Sequence, residues 1–227
     1  MLGPALRGGI NPGGEVSMSP NSLTAALQTA LGSTLKTLML ASDVIFDGSG
    51  FATGIATTRI GPTPTLRGTG NITSAFINSK KAITKIATST RSFYTTVTAG
   101  WQRTLFAVGV TPTIPTGTVS SIIIPTGGGS ANRIGLDAAG ANWWGPSNAM
   151  YVNGVATRVA TSGQLAVYVS TYASSDDTEL NCAGWTSSSL YSWNAPILCW
   201  GSCDTAISAG TVLSISQILA RYSNLVI

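Results

Sequence analysis

Leucine recurs at Leu23, Leu27, Leu31, Leu35 and Leu38, at spacings of four, four, four and three, which lines one face of a helix. Pro20-Asn21-Ser22 offers a start signal just ahead of it, so residues 21–42 are predicted as one amphipathic helix. A competing reading breaks the helix at Gly32-Ser33 and makes Thr34 to Leu40 a strand, which the threonines and the following Val44-Ile45-Phe46 favour. Before the helix, residues 1–20 carry Pro4, Pro12, Pro20 and five glycines, a texture with no core of its own, and an extended N-terminal arm is expected there.

After Asp47-Gly48-Ser49-Gly50 the pattern changes to short runs rich in Val, Ile, Thr and aromatic residues, separated by Gly, Pro, Asn and Ser. That is the grammar of strands and turns. Candidate strands fall near 54–60, 71–77, 82–89, 92–99, 103–110, 117–124, 149–160, 164–172 and 211–219. Alternation is clearest in Gln164-Leu165-Ala166-Val167-Tyr168-Val169-Ser170. With no helical pattern between successive strands to make parallel crossovers, residues 43–227 are predicted as one all-β domain, an antiparallel β-sandwich. Two long loops interrupt it: Pro125 to Pro146, holding Trp143 and Trp144, and 174–206, holding Trp185, Trp193, Trp200 and all three cysteines.

Composition changes the picture in one respect. Charged residues make up 9% of the chain, against about 25% in an average soluble domain, while hydrophobic content is 44%. Such a chain can bury a core but has little charge to keep copies of itself apart, so self-assembly into a homo-oligomer is expected. No run reaches the length of apolar residues that a membrane span needs, and the first residues lack the pattern of a secretory signal.

Charge is also unevenly placed. Between Asp47 and Asp137 there is no acidic residue, yet Arg59, Arg67, Lys80, Lys81, Lys85, Arg91, Arg103 and Arg133 all lie there. One-sided charge suggests a polyanion as partner. Lys80, Lys81 and Lys85, with Arg91, Arg59 and Arg67, are the candidate nucleic-acid contacts, able to meet phosphates without reading sequence.

Candidate catalytic chemistry is thin. The chain has no histidine, which excludes Ser-His-Asp and Cys-His arrangements and histidine-bound metals. No phosphate-binding Gly-Lys-Ser/Thr sequence occurs either. Asp176-Asp177-Thr178-Glu179 is the one acidic cluster, read as a solvated turn, a cation site or, least favoured, a catalytic pair. Cys182, Cys199 and Cys203 cannot all pair within one chain, and at least one free thiol is expected. No enzyme activity, metal or cofactor is expected.

Taken together, the arm, the short strands, the long loops, the Ser/Thr/Gly richness and the basic segment resemble the coat protein of a small icosahedral virus. That resemblance implies an eight-stranded jelly roll, assembly into a virion shell and a packaged nucleic-acid genome. It departs from the family in its arm, since residues 1–35 contain only Arg7 where many coat proteins are arginine-rich. Two other readings stay open: an extracellular or surface fibre subunit such as a pilus, tail fibre or adhesin, and a carbohydrate-binding β-sandwich with Trp143, Trp144, Trp185, Trp193 or Trp200 as a sugar-stacking surface.

Overall fold

The leucine repeat is divided by a glycine. In the computed structural model, which describes residues 17–85, 89–113, 120–126, 132–136, 149–184 and 193–227, helix α1 spans Pro20–Leu31. The Ser19 hydroxyl caps it by accepting from the Ser22 amide at 3.1 Å, and Pro20 occupies the first turn, where a missing N–H costs nothing. Gly32 ends it at φ 56°, in the left-handed region that glycine enters without a Cβ clash, and its amide donates to the Gln28 carbonyl. Leu35 and Leu38 therefore belong to strand β1 (Leu35–Leu40). The single helix over 21–42 is corrected to a helix, a left-handed glycine and a strand, and residues 1–16 of the expected arm lie outside the described residues.

Beyond β1 the chain runs through β2 (Val44–Phe46), β3 (Ala52–Ile55), β4 (Thr65–Arg67), β5 (Ile72–Ile77), β6 (Lys80–Lys85), β7 (Ser92–Thr96), β8 (Thr104–Val110) and β9 (Ser120–Thr126). It continues with β10 (Ile134–Leu136), β11 (Ala149–Val152), β12 (Val155–Ala156), β13 (Leu165–Thr171), β14 (Glu179–Cys182), β15 (Ile197–Cys203) and helix α2 (Ala209–Ser223). One sheet has the order β12-β11-β13-β8-β15-β6-β5, with β1 also on β15, and the second has the order β10-β9-β14-β7-β4. Eight of these strands pair in a nested antiparallel series: β6 with β15, β7 with β14, β8 with β13 and β9 with β10. A long hairpin wrapped in this way into two sheets is the eight-stranded jelly roll.

Period-two alternation decides which side chains fill the space between the sheets. Leu105 and Ala107 of β8 join Phe93, Leu180, Cys182 and Trp200 in the inter-sheet core, where the Phe93 and Trp200 rings lie 5.6 Å apart. Phe106 and Val108 point the other way, into a second cluster with Leu23, Leu27 and Leu31 of α1 and Val212, Ile215 and Leu219 of α2. The first sheet is therefore apolar on both faces, which explains why Thr104 to Gly109 are all buried. Gly201 lets this packing close, because a Cβ there would sit 2.4 Å from both the Phe106 ring and the Thr37 carbonyl.

Two sequence expectations change here. The strand over 211–219 is part of α2, because Val212, Ile215, Leu219 and Tyr222 form one buried helical stripe. The loop over 174–206 contains β14 and β15, the second of which is central to the first sheet. Among the described residues no helix is long and apolar enough to cross a membrane.

Candidate functional site

The six candidate nucleic-acid residues are placed first. Register along β6 sets Lys81, Ile83 and Lys85 on one face, and Ile83 belongs to the inter-sheet core. Lys85 follows it inward: it is 3% exposed, and its ammonium donates to the Ala183 carbonyl at 2.8 Å. Burial pulls its pKa down to about 8, against a smaller opposing influence from the Cys182 thiol. Lys85 as a phosphate contact is thus corrected, since its ammonium is an internal strut.

The others also have partners within the fold. Lys81 donates to the Val44 carbonyl at 2.8 Å and stands 4.5 Å from the Phe46 ring. Lys80 donates to the Met18 carbonyl at 3.0 Å and stands 4.6 Å from the Tyr222 ring, and burial lowers its pKa. Arg59 is held by both oxygens of Asp43 and by Asn21. Arg91 donates to the Gly68 carbonyl at 2.9 Å. Of the six, Arg67 is the one that is exposed, and it lies on a different sheet from the three lysines.

That position leads to a constellation the sequence did not disclose. On the second sheet Phe93, Leu180 and Cys182 face the core, so Tyr94 and Thr96 of β7, Glu179 and Asn181 of β14, Thr126 of β9 and Arg67 of β4 share the outer face. Their side chains connect across three strands. The Tyr94 hydroxyl donates to Glu179 Oε1 at 2.9 Å, and the Thr126 hydroxyl donates to Glu179 Oε2 at 2.7 Å. Asn181 Nδ2 donates to Thr126 Oγ1 at 3.0 Å and to the Ile124 carbonyl at 3.3 Å. Arg67 lies over the Tyr94 ring, 3.2 Å from its centroid.

Two polar atoms on this face are buried and, among the described residues, without a partner: Asn181 Oδ1 and the Ser92 hydroxyl. Asn181 is 1% exposed, and a buried acceptor left unpaired costs stability. The two outer faces of the sandwich thus differ. Helices α1 and α2 seal one with leucine, and the other carries a carboxylate, an amide, hydroxyls and a guanidinium around one aromatic ring.

The remaining sequence candidates fall elsewhere. Trp193 and Trp200 are 0% and 1% exposed, with Trp193 edge-on to Tyr168 and Trp200 against Phe93. As sugar-stacking rings both are corrected to core. Trp143, Trp144 and Trp185 lie outside the described residues. In the acidic cluster Asp176 is exposed, Asp177 is buried and Glu179 belongs to the outer-face network. All three cysteines are free and buried, and burial pushes the Cys199 and Cys203 thiols up to about 12.

No protein-family model and no curated relative matches the chain. Among solved structures it is similar to domain 4 of AbnA, a GH43 extracellular arabinanase from Geobacillus stearothermophilus, solved with arabinotriose. That likeness has 13% identity and a TM-score of 0.41, over 81% of this chain and 98% of that one. It is also similar to Trypanosoma rangeli sialidase in complex with the inhibitor DANA, at 8% identity and a TM-score of 0.45, over 86% of this chain and 37% of the sialidase. A Shewanella oneidensis protein of unknown function shares 17% identity at a TM-score of 0.34, over 84% of this chain and 88% of that protein. At these identities and scores no functional residue is carried from any of them to this chain.

Proposed function

We propose that this protein is a carbohydrate-binding β-sandwich that holds a glycan on the outer face of its second sheet. The observation that carries the reading is the polar network from Tyr94 through Glu179 and Thr126 to Asn181 on one face of the sheet. A sugar presents hydroxyls that both donate and accept around a flat apolar ring. A carboxylate accepts such hydroxyls at the lone pairs its internal bonds leave free, an amide oxygen accepts another, and a tyrosine ring stacks beneath the apolar face. Strands hold these groups more rigidly than loops, so little ordering cost is left for binding.

Binding is tested by titrating the full chain against an array of neutral, uronate-bearing and sulfated glycans, followed by calorimetry on the best ligand. Glu179→Gln and Asn181→Ala should each weaken binding about tenfold or more, the loss of one or two buried hydrogen bonds. Asn181→Ala also removes a buried donor from the Ile124 carbonyl and should lower stability by about 1–3 kcal/mol, so binding is compared well below the melting temperature of each variant. A chain that binds no glycan on the array, or variants that bind as the parent does, would refute the reading.

A further inference from the structure

Arg67 occupies the place that a sugar ring would take. Its guanidinium sits on the face of Tyr94, which is left only 8% exposed. The two ion pairs among the described residues are Lys36 with Asp204 and Arg59 with Asp43, and neither involves Arg67. Among the described residues Glu179 is the carboxylate on this face; it accepts one bond at each oxygen, from Tyr94 and Thr126, and forms no ion pair with Arg67. Next to Arg67 along the strand pairing, Arg91 has its Nη1 on the Gly68 carbonyl. Arg67 therefore borders the site without an ion-pair partner among the described residues.

We infer that this face selects acidic glycans, bearing carboxylate or sulfate, by an exchange at Arg67; the inference rests on the carbohydrate-binding function proposed above. An anionic substituent draws the guanidinium off the ring into a planar two-point ion pair, a geometry that arginine offers and lysine does not. The movement bares the Tyr94 ring for the sugar, while its hydroxyls meet Glu179, Thr126 and Asn181. A neutral glycan offers the guanidinium nothing, and must give up the cation–π contact without replacement. Arg67 is thus both the anchor for the acidic group and the cover over the aromatic platform when that group is absent.

The test uses matched pairs on the full chain: hexagalacturonate against its methyl ester, and a sulfated galactan oligosaccharide against its desulfated form. The parent should bind the acidic member of at least one pair about tenfold more tightly, with affinity falling as salt rises. Whichever pair shows the preference identifies carboxylate or sulfate as the recognised group. In Arg67→Gln acidic binding should drop about tenfold, while neutral binding holds or improves because the platform is uncovered. Arg67→Lys, which keeps the charge and loses the fork, should fall between the two. A residue that merely supported the sheet would weaken both ligands alike, and that result overturns the inference, as does equal binding of acidic and neutral partners by the parent. Binding of neutral glycans alone overturns the selectivity and leaves the carbohydrate reading standing, whereas binding of no glycan removes both.

Discussion

Lys85 shows what a single buried charge costs and where its effect can be read. Its ammonium is bonded to one carbonyl, yet burial outweighs that contact and brings its pKa from 10.5 to about 8. The gap corresponds to about 3 kcal/mol between charged and neutral forms. The folded pKa lies below the unfolded one, so between these values the unfolded chain binds more protons. Stability from this group is then complete above pH 10.5 and is lost as pH falls through about 8. The three thiols and the buried Tyr168, Tyr172 and Tyr222 act in the opposite sense, because burial raises them and the unfolded chain ionises first as pH rises. A comparison of the parent with Lys85→Met cancels these shared groups. Between pH 7 and about 10 the difference in unfolding free energy should move by about 2–3 kcal/mol in favour of the parent. Urea denaturation under reducing conditions at the two pH values measures it. A pH-independent difference would mean that Lys85 stays charged and well solvated in the folded chain.

At the scale of elements, legibility followed how many faces of a strand are buried. Strands β8 and β13 were expected at 103–110 and 164–172 and lie at Thr104–Val110 and Leu165–Thr171, because a run of apolar residues between polar ends is visible without knowing its neighbours. Strands β14 and β15 were missed: Asn181, Gly201 and Ser202 break the apolar run, and each is buried for reasons supplied by other strands. In α2, Leu213 and Ile215 alternate with Ser214 and Ser216, a two-residue period that masks the helical stripe, although Ser208 and the left-handed Asn224 mark its ends. The outer-face network was illegible for a related reason. Its members come from four strands spread over Arg67 to Asn181, and only register brings them together. Because α2 seals the first sheet, Leu219→Ala should destabilise the whole domain by about 2–5 kcal/mol. Removing the cap with Ser208→Ala should cost about 1 kcal/mol. Denaturant titration should show both as shifts in midpoint at constant slope. If Leu219→Ala melts α2 alone, the helix is an appendage and not part of the core.

Over the whole molecule, the shortage of charge has a structural counterpart in how cations are used. Asp43 and Asp204 are taken by Arg59 and Lys36 at 2.6 and 2.9 Å, and Lys80, Lys81 and Lys85 hold backbone carbonyls at 2.8–3.0 Å. The acid-free stretch from Asp47 to Asp137 thus spends much of its positive charge tying β6 to the segment before α1, to β2 and to the turn after β14. Nucleic-acid binding and fold support make opposite forecasts for these lysines. A phosphate-binding pair could be neutralised with little cost to stability and a large loss of affinity. An internal pair gives the reverse, because each ammonium supplies a charge-assisted hydrogen bond and lies near an aromatic ring. The double variant Lys80→Gln and Lys81→Gln should therefore lose about 1–3 kcal/mol of stability. Its retention of a single-stranded oligonucleotide at low salt should match that of Arg158→Gln, which removes an exposed charge elsewhere. Thermal melts and filter binding measure the two effects on the same material. Selective loss of oligonucleotide binding with an unchanged melt would return β6 to the surface of a polyanion site and make its carbonyl contacts incidental.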